Sequence, residues 1–433
     1  MIANATPAGL RRLMVPLLLV LGASAGTAQA ATPLGAPVTI TTQSGYGHAV
    51  ARSASGRFVV AWDEERVSGS GLYLRIYDTN GVPQGAPILV DPAGGTGPWA
   101  PALAMDATGG FVATWSRRVP GSNKPDASFN FYAQRFAANG ARIGSIQHVA
   151  QGDGHNLVPT AVAMGVDGSY VVAWQTRNYS ADLPIPLSTI HTVTLKVMAR
   201  QYGSNGLPRG PAIVVDSSVP VLQGFAGYPG SFGVGVDAAG GFTVAFESYV
   251  GVSNSVQMRR YGPDGSARGL RTRVSQLASF WGNQPNLLVN ADGSSVIAWT
   301  GCKQAGQEGC ESYFQRFDAE GRKQGAITQI INPGPGTAPS FPRLTGGPNG
   351  AFMALWVVRQ AGVFKNYGQA YTSTGVADGV VFMVEPDLQQ REDSAVLASD
   401  ANGNFVVSLR NFDFDANSGQ YSSPLKIRRF LRQ

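Results

Sequence analysis

Phe58-Val59-Val60-Ala61-Trp62 decides the fold, because the stretch keeps coming back. Counterparts run over residues 111–115, 170–174, 242–246, 295–299, 352–356 and 405–409, and they end at Trp115, Trp174, Phe246, Trp299, Trp356 and Leu409. Each is followed by a second extended segment that ends in an aromatic, at Tyr77, Phe136, Tyr202, Tyr261, Phe317, Tyr371 and Phe430. Gln or Arg usually precedes that aromatic, and a turn containing Gly often follows it. A repeat of this length made only of strand and turn is the mark of a β-propeller blade. Seven copies predict an all-β, seven-bladed β-propeller.

The second repeat shows how one blade is read. Residues 101–105 form a short first strand, 106–110 a hairpin turn with Gly, and 111–115 the apolar second strand. Residues 131–136 make the third strand, 137–140 a turn and 144–149 the fourth, giving a four-stranded antiparallel sheet. The Ala and Val runs of the second strands lack polar alternation, which implies burial on both faces, between neighbouring blades. The terminal Trp residues recur in nearly every repeat and are therefore read as core. Arg135, Arg260, Arg316 and Arg429 also recur, and so are read as ties between strands or blades. Asp106, Asp167, Asp237, Asp292 and Asp400 sit in the first hairpins, where a short carboxylate accepts bonds from turn amides.

The last repeat stops at Gln433 without a fourth strand. Near the other end, Leu34-Gly35-Ala36-Pro37-Val38-Thr39-Ile40 matches Gln84-Gly85-Ala86-Pro87-Ile88-Leu89-Val90, the fourth strand of the first repeat. An N-terminal strand is therefore expected to complete the last blade and remove two open sheet edges. Residues 1–30 fall outside the repeat. Arg11 and Arg12, an apolar run from Leu13 to Leu21 and Ala28-Gln29-Ala30 together predict a secretory signal peptide, leaving 31–433 as one propeller domain. No later segment is apolar for the about 20 residues a membrane span needs. The expected product is exported, to the periplasm, the cell surface or the medium, and a monomer is expected. Loss of the leader's two arginines lowers the formal charge from +6 to +4, and no Lys/Arg run is present, which disfavours nucleic acid as a partner.

The pattern Gly109-Gly110-Phe111-Val112-Ala113-Thr114-Trp115 with Ala133-Gln134-Arg135-Phe136 resembles repeats of exported bacterial proteins, including some large surface proteins with calcium-binding repeats. The resemblance implies a secreted or surface propeller and transfers no catalytic residue. The hairpin aspartates depart from the Asp-to-Gly-to-Trp spacing of the sialidase Asp-box, so that activity is not inferred.

Function is sought in departures from the repeat. The connections between second and third strands are long and varied at 119–130, 176–193, 301–312 and 411–423, and variable loops on a rigid scaffold are where binding usually lives. Cys302 and Cys310, the only two cysteines, lie in one of them and are expected to form a disulfide. Segments entering the first strands carry Tyr46, Trp99, Phe225 with Tyr228, Phe280 with Trp281, and Phe341. Rings beside polar groups suit sugars, and Tyr46, His48, Trp99, Tyr228 and Trp281 are the candidate ligand contacts. His48 occupies the place that Pro101, Pro159, Pro285 and Pro342 hold elsewhere, and with Tyr46 and Arg118 it could form an acid–base pair; His155 is the other loop candidate. The single Gly-x-Ser-x-Gly lies in the leader, where it cannot serve as a nucleophile elbow. Asp413, Asp415 and Asn417 alternate like the start of a calcium loop, but the Gly comes one place late and no Glu closes it. No other cofactor is implied. Two readings remain: a non-catalytic binding propeller for a glycan or surface protein, and a polysaccharide-degrading enzyme using His48 or His155.

Overall fold

The computed structural model describes residues 31–64, 70–92, 98–119, 128–153, 160–180, 192–217, 221–222, 232–250, 253–275, 285–302, 310–331, 339–360, 363–385, 395–410, 413–415 and 420–433. The predicted leader lies outside them. The chain forms a seven-bladed β-propeller of four-stranded antiparallel blades. Blade 1 runs through His48–Arg52, Phe58–Glu64, Gly71–Tyr77 and Ile88–Pro92 in spatial order. Blades 2 to 6 repeat this meander, and blade 7 contributes Val396–Ser399, Phe405–Arg410 and Leu425–Arg432. Each innermost strand packs on the next around the ring, and Val396–Ser399 packs on His48–Arg52 to close it.

The N-terminus completes the last blade, in two pieces. Val38 pairs with Ile427, and Ala31–Pro33 pairs with residues 430–432. The interruption repeats the fourth-strand entry of blade 1: Pro33 lies opposite Phe430 as Pro83 lies opposite Tyr77, and Gly35 and Gly85 both take positive φ.

Burial explains the motif that recurs. Trp62, Trp115, Trp174, Trp299 and Trp356 are all buried, with Phe246 and Leu409 in their place in blades 4 and 7. Alternate residues of a second strand face opposite neighbours. Phe58, Val60 and Trp62 pack with Val406 and Ile427 of blade 7, whereas Val59 and Ala61 pack with Phe111, Ala113 and Trp115 of blade 2. At the far end of every sheet but blade 5, which carries Ser295 there, the motif's first aromatic stacks on the aromatic of the third strand. Phe58–Tyr77, Phe111–Phe136, Tyr170–Tyr202 and Phe242–Tyr261 have centroids 4.8, 4.9, 4.7 and 4.6 Å apart. Such pairs add about 0.5–1.5 kcal/mol each beyond their area.

The recurrent arginines tie blade to blade. Arg135, Arg260, Arg316 and Arg429 donate to the carbonyls of Ser204, Ala319, Ser373 and Thr79, each in the last turn of the following blade. Gln201 does the same to Pro263 at 3.0 Å. The hairpin aspartates accept turn amides: Asp106 from Thr108 and Gly110, Asp400 from Asn402 and Asn404. Gln134, Gln315 and Gln369 are buried in the third strands. Each donates to three carbonyls around the bulge where the fourth strand begins, so the Gln of the motif serves the backbone of its own blade.

Strands run beyond their expected limits in blade 2. The first spans Pro98–Met105 with a bulge between Trp99 and Ala102, the third Ser128–Phe136 and the fourth Arg142–Asp153. Ala100 takes φ 49° inside that bulge, and Phe341 takes φ 54° at the matching bulge of blade 6.

Trp115→Ala is expected to lower unfolding free energy by about 3–5 kcal/mol, the usual figure for a buried aromatic, measured by urea titration. Burial pushes the hydroxyls of Tyr77 and Tyr371 up to about 12, and burial plus a bond to Glu311 does the same for Tyr313. Because the folded values lie above the ordinary 10.0, this stability is complete below pH 10 and is lost as pH rises toward 12. An alkaline titration should therefore show tyrosine ionisation delayed and coincident with unfolding; ionisation of all tyrosines near pH 10 with the fold intact would contradict it.

Candidate functional site

Antiparallel pairing brings the ends of the second and fourth strands and the starts of the first strands to one face. The tight turns, occupied with the ties just described, lie on the other. The candidate face is best defined at the seam between blades 7 and 1, where the residues preceding His48 cross over the end of the second strand of blade 1.

Asp63 organises that crossing. Its Oδ1 accepts the amides of Tyr46 at 2.7 Å and Gly47 at 3.0 Å, and Oδ2 accepts Gly47 again at 2.9 Å. The guanidinium of Arg410, with 0% of its side chain exposed, lies 3.5 Å from Oδ1 and donates to the Asp63 carbonyl at 2.7 Å. The same guanidinium donates to the Ser423 carbonyl at 2.9 Å, while the Ser423 hydroxyl bonds Gly45 on both amide and carbonyl at 3.0 Å. Gly45 is required here: a Cβ would sit 2.2 Å from the Asp63 carbonyl and 2.7 Å from Arg410. Arg52 and Asp400 make a second ion pair at 2.9 Å, both side chains nearly buried, at the opposite end of this seam.

The candidates of the sequence separate at this point. Tyr46 is 54% exposed and its backbone is held on Asp63. His48 is 8% exposed, and its Nδ1 lies 2.8 Å from the Ser408 hydroxyl of blade 7. The Thr160–Thr114 hydroxyl pair, 2.7 Å apart, occupies the same position between blades 3 and 2. Register sets His48 opposite Trp62 and, continued by one residue, Thr160 opposite Trp174, so Thr160 rather than Pro159 is the counterpart of His48 in blade 3. His48 is thus built into the seam. Arg118 ends the second strand of blade 2, opposite Phe129.

Trp99 lies in the bulged strand of blade 2, but its side chain, with Tyr228, Trp281 and His155, lies outside the described residues. Cys302 and Cys310 are directly opposed in register on blade 5; Cys310 is buried and no described cysteine is free. Asp413 and Asp415 lie in a two-stranded ribbon with Gln420–Ser422, whereas their side chains and Asn417 are outside the description. Among the described residues no group of three His, Cys, Asp or Glu is placed to hold a metal, and no helix is long and apolar enough to cross a membrane.

Sequence reasoning missed Asp63, Arg410 and Ser408. A signal existed: Arg410 puts a permanent charge one residue beyond the buried end of the motif, where five other repeats carry Ser116, Gln175, Glu247, Thr300 and Val357.

No family model matches the chain, and no curated protein matches it. Among solved structures, the polysaccharide lyase Uly1 superposes with a TM-score of 0.51 at 11% identity, covering 89% of this chain and 90% of that one. A fungal alcohol oxidase of the AA5 family, solved in complex with copper, gives 0.50 at 11% identity over 93% and 77% of the two chains. An α-L-arabinanase from Penicillium chrysogenum, complexed with arabinobiose, gives 0.47 at 10% identity over 93% and 98%. At these identities the likeness is one of fold.

Asp63→Ala strands the Arg410 charge without water and releases two backbone amides, so it is expected to cost about 3–5 kcal/mol of stability in denaturant titration. Adding Arg410→Met should recover part of that loss, because the uncompensated charge is then gone. A double variant no more stable than Asp63→Ala would contradict this account of the seam.

Proposed function

We propose that the chain is an exported, non-catalytic propeller that binds a glycan or a surface protein through the face bearing its variable loops, with a Cys302–Cys310 disulfide bracing one hairpin of that face. The observation that carries this reading is the asymmetry of the two faces. One is made of short turns in which aspartates hold their own turn amides, glutamines of the third strands hold the fourth-strand entry of the same blade, and arginines reach the next blade. The other holds the strand ends that the long connections join, with Tyr46 exposed on a backbone fixed by Asp63. Rings on a rigid frame stack on the apolar faces of sugars at little entropic cost. A polysaccharide lyase with the same fold is consistent with a carbohydrate ligand. The burial of His48 and its bond to Ser408 favour binding over acid–base catalysis, since a general base must reach substrate.

Trp99→Ala combined with Trp281→Ala is expected to weaken retention on a glycan array by about tenfold or more, about 1.4 kcal/mol, without loss of folding. Unchanged retention would remove the aromatic basis of the reading. Release of unsaturated or reducing sugar ends that disappears in His48→Ala or His155→Ala would replace it with the degradative enzyme.

A further inference from the structure

The fourth strand of each blade reaches the candidate face beside the next blade, and three of these junctions share a device. Three fourth strands bury an aliphatic residue and then present an acid, at the bulge in Val90-Asp91 and Val215-Asp216 and just past the strand end in Val384-Glu385. In every case the acid neutralises a cation of the neighbouring blade or the same seam. Asp91 pairs with Arg117 and accepts the Trp115 indole at 2.7 Å. Asp216 pairs with Arg271 at 2.8 Å, and Glu385 pairs with Arg428 at 2.9 Å. An arginine of the next blade also reaches over the bulge, Arg259 to the Val215 carbonyl and Arg428 to the Val384 carbonyl, both at 3.0 Å.

The junction between blades 2 and 3 keeps half of this device. Arg200 donates to the Val149 carbonyl at 3.0 Å, as Arg259 and Arg428 do at theirs. The residue after Val149, however, is Ala150, opposite Phe131 in the register that places Asp91 opposite Leu72 and Asp216 opposite Val197. Where those three junctions hold a carboxylate, a groove of about 510 Å3 opens between blades 2 and 3. His148, Gln151, Trp174, Lys196 and Arg200 line it, and no acid does among the described residues. The volume falls in the range of about 300–1,000 Å3 usual for small-molecule sites.

We propose that this groove, at the junction of blades 2 and 3, is a second binding site, which takes the carboxylate of a small ligand of about monosaccharide size. The ligand's carboxylate occupies the place that Asp91 and Asp216 fill from within the chain, facing Lys196 and Arg200, while Gln151 and His148 offer hydrogen bonds at the rim. A charged hydrogen bond to such a group is stronger than a neutral one, so a neutral sugar of the same shape binds less well.

Galacturonate and galactose serve as matched probes, titrated into the full-length protein and followed by NMR or calorimetry. Binding of galacturonate but not galactose is expected. Lys196→Gln should weaken it by about fivefold or more, as loss of one charge-assisted contact implies. Ala150→Asp is the decisive variant, because it restores the internal acid tolerated at the equivalent positions of blades 1 and 3. It should leave thermal stability equal or higher and abolish galacturonate binding. No response to galacturonate, an equal response to galactose, or full binding by a folded Ala150→Asp protein would each overturn the proposal. The array test changes Trp99 and Trp281 and this one changes Lys196 and Ala150, so the two results are read separately.

Discussion

A blade of this protein is apolar on both faces, so it is stable only when a neighbour covers each side, and a row of such sheets has two ends that nothing covers. Closure of the ring at the seam between blades 7 and 1 is the constraint on which the other six junctions depend. The seam buries Val50, Phe58 and Trp62 against Val406 and Ile427. A strand from residues 38–41 finishes the sheet, and a buried ion pair stands at either end of the join. Buried pairs are poor sources of net stability against an apolar replacement, yet they penalise any misregistered partner whose charges would be stranded. Arg410–Asp63 and Arg52–Asp400 therefore act chiefly on which edge meets which.

The architecture was legible in the sequence because it is periodic. A need common to every blade returns the same residue type at the same place: the Trp that ends a second strand, the aromatic that stacks across it, the Gln that serves the bulge, the Arg that reaches the next turn. Reading Arg135, Arg260, Arg316 and Arg429 as ties required no coordinates, since recurrence argues against a single ligand. Matching residues 34–40 to 84–90 located the closing strand for the same reason. Its break at residues 34–37 could also have been foreseen, because the first repeat carries the same Gly and Pro there.

The candidate site was legible only in part, for the converse reason. A seam occurs once, so Asp63, Arg410 and Ser408 had no counterparts to reveal them. His48 read as a loop residue, a backbone-bonded histidine or one half of an acid–base pair, because its counterparts in the alignment of repeats are prolines. Register shows it opposite Trp62, at a position where blade 3 uses Thr160 for the same cross-blade bond. A small polar residue at that place would have been the sequence cue. The fourth-strand acids were overlooked because only three junctions carry them, too few to stand out as a repeat and too many to stand out as an exception.

Gln433 bonds Thr32 at 2.6 Å across a separation of 401 residues, in a sheet where residues 31–33 and 38–41 pair with the strand Leu425–Arg432 while the remaining pairings are local. Every blade before the last can form from contiguous chain, hairpin by hairpin. The seventh needs residues 31–41 together with the strand Leu425–Arg432. The entropy of so long a loop grows only logarithmically, each doubling adding about 0.6 kcal/mol, so the equilibrium burden is modest. The delay is kinetic: until those distant segments meet, the exposed edge of blade 1 and the unfinished sheet of blade 7 are templates for mispairing with other chains, and the rate of that meeting governs how long the hazard lasts.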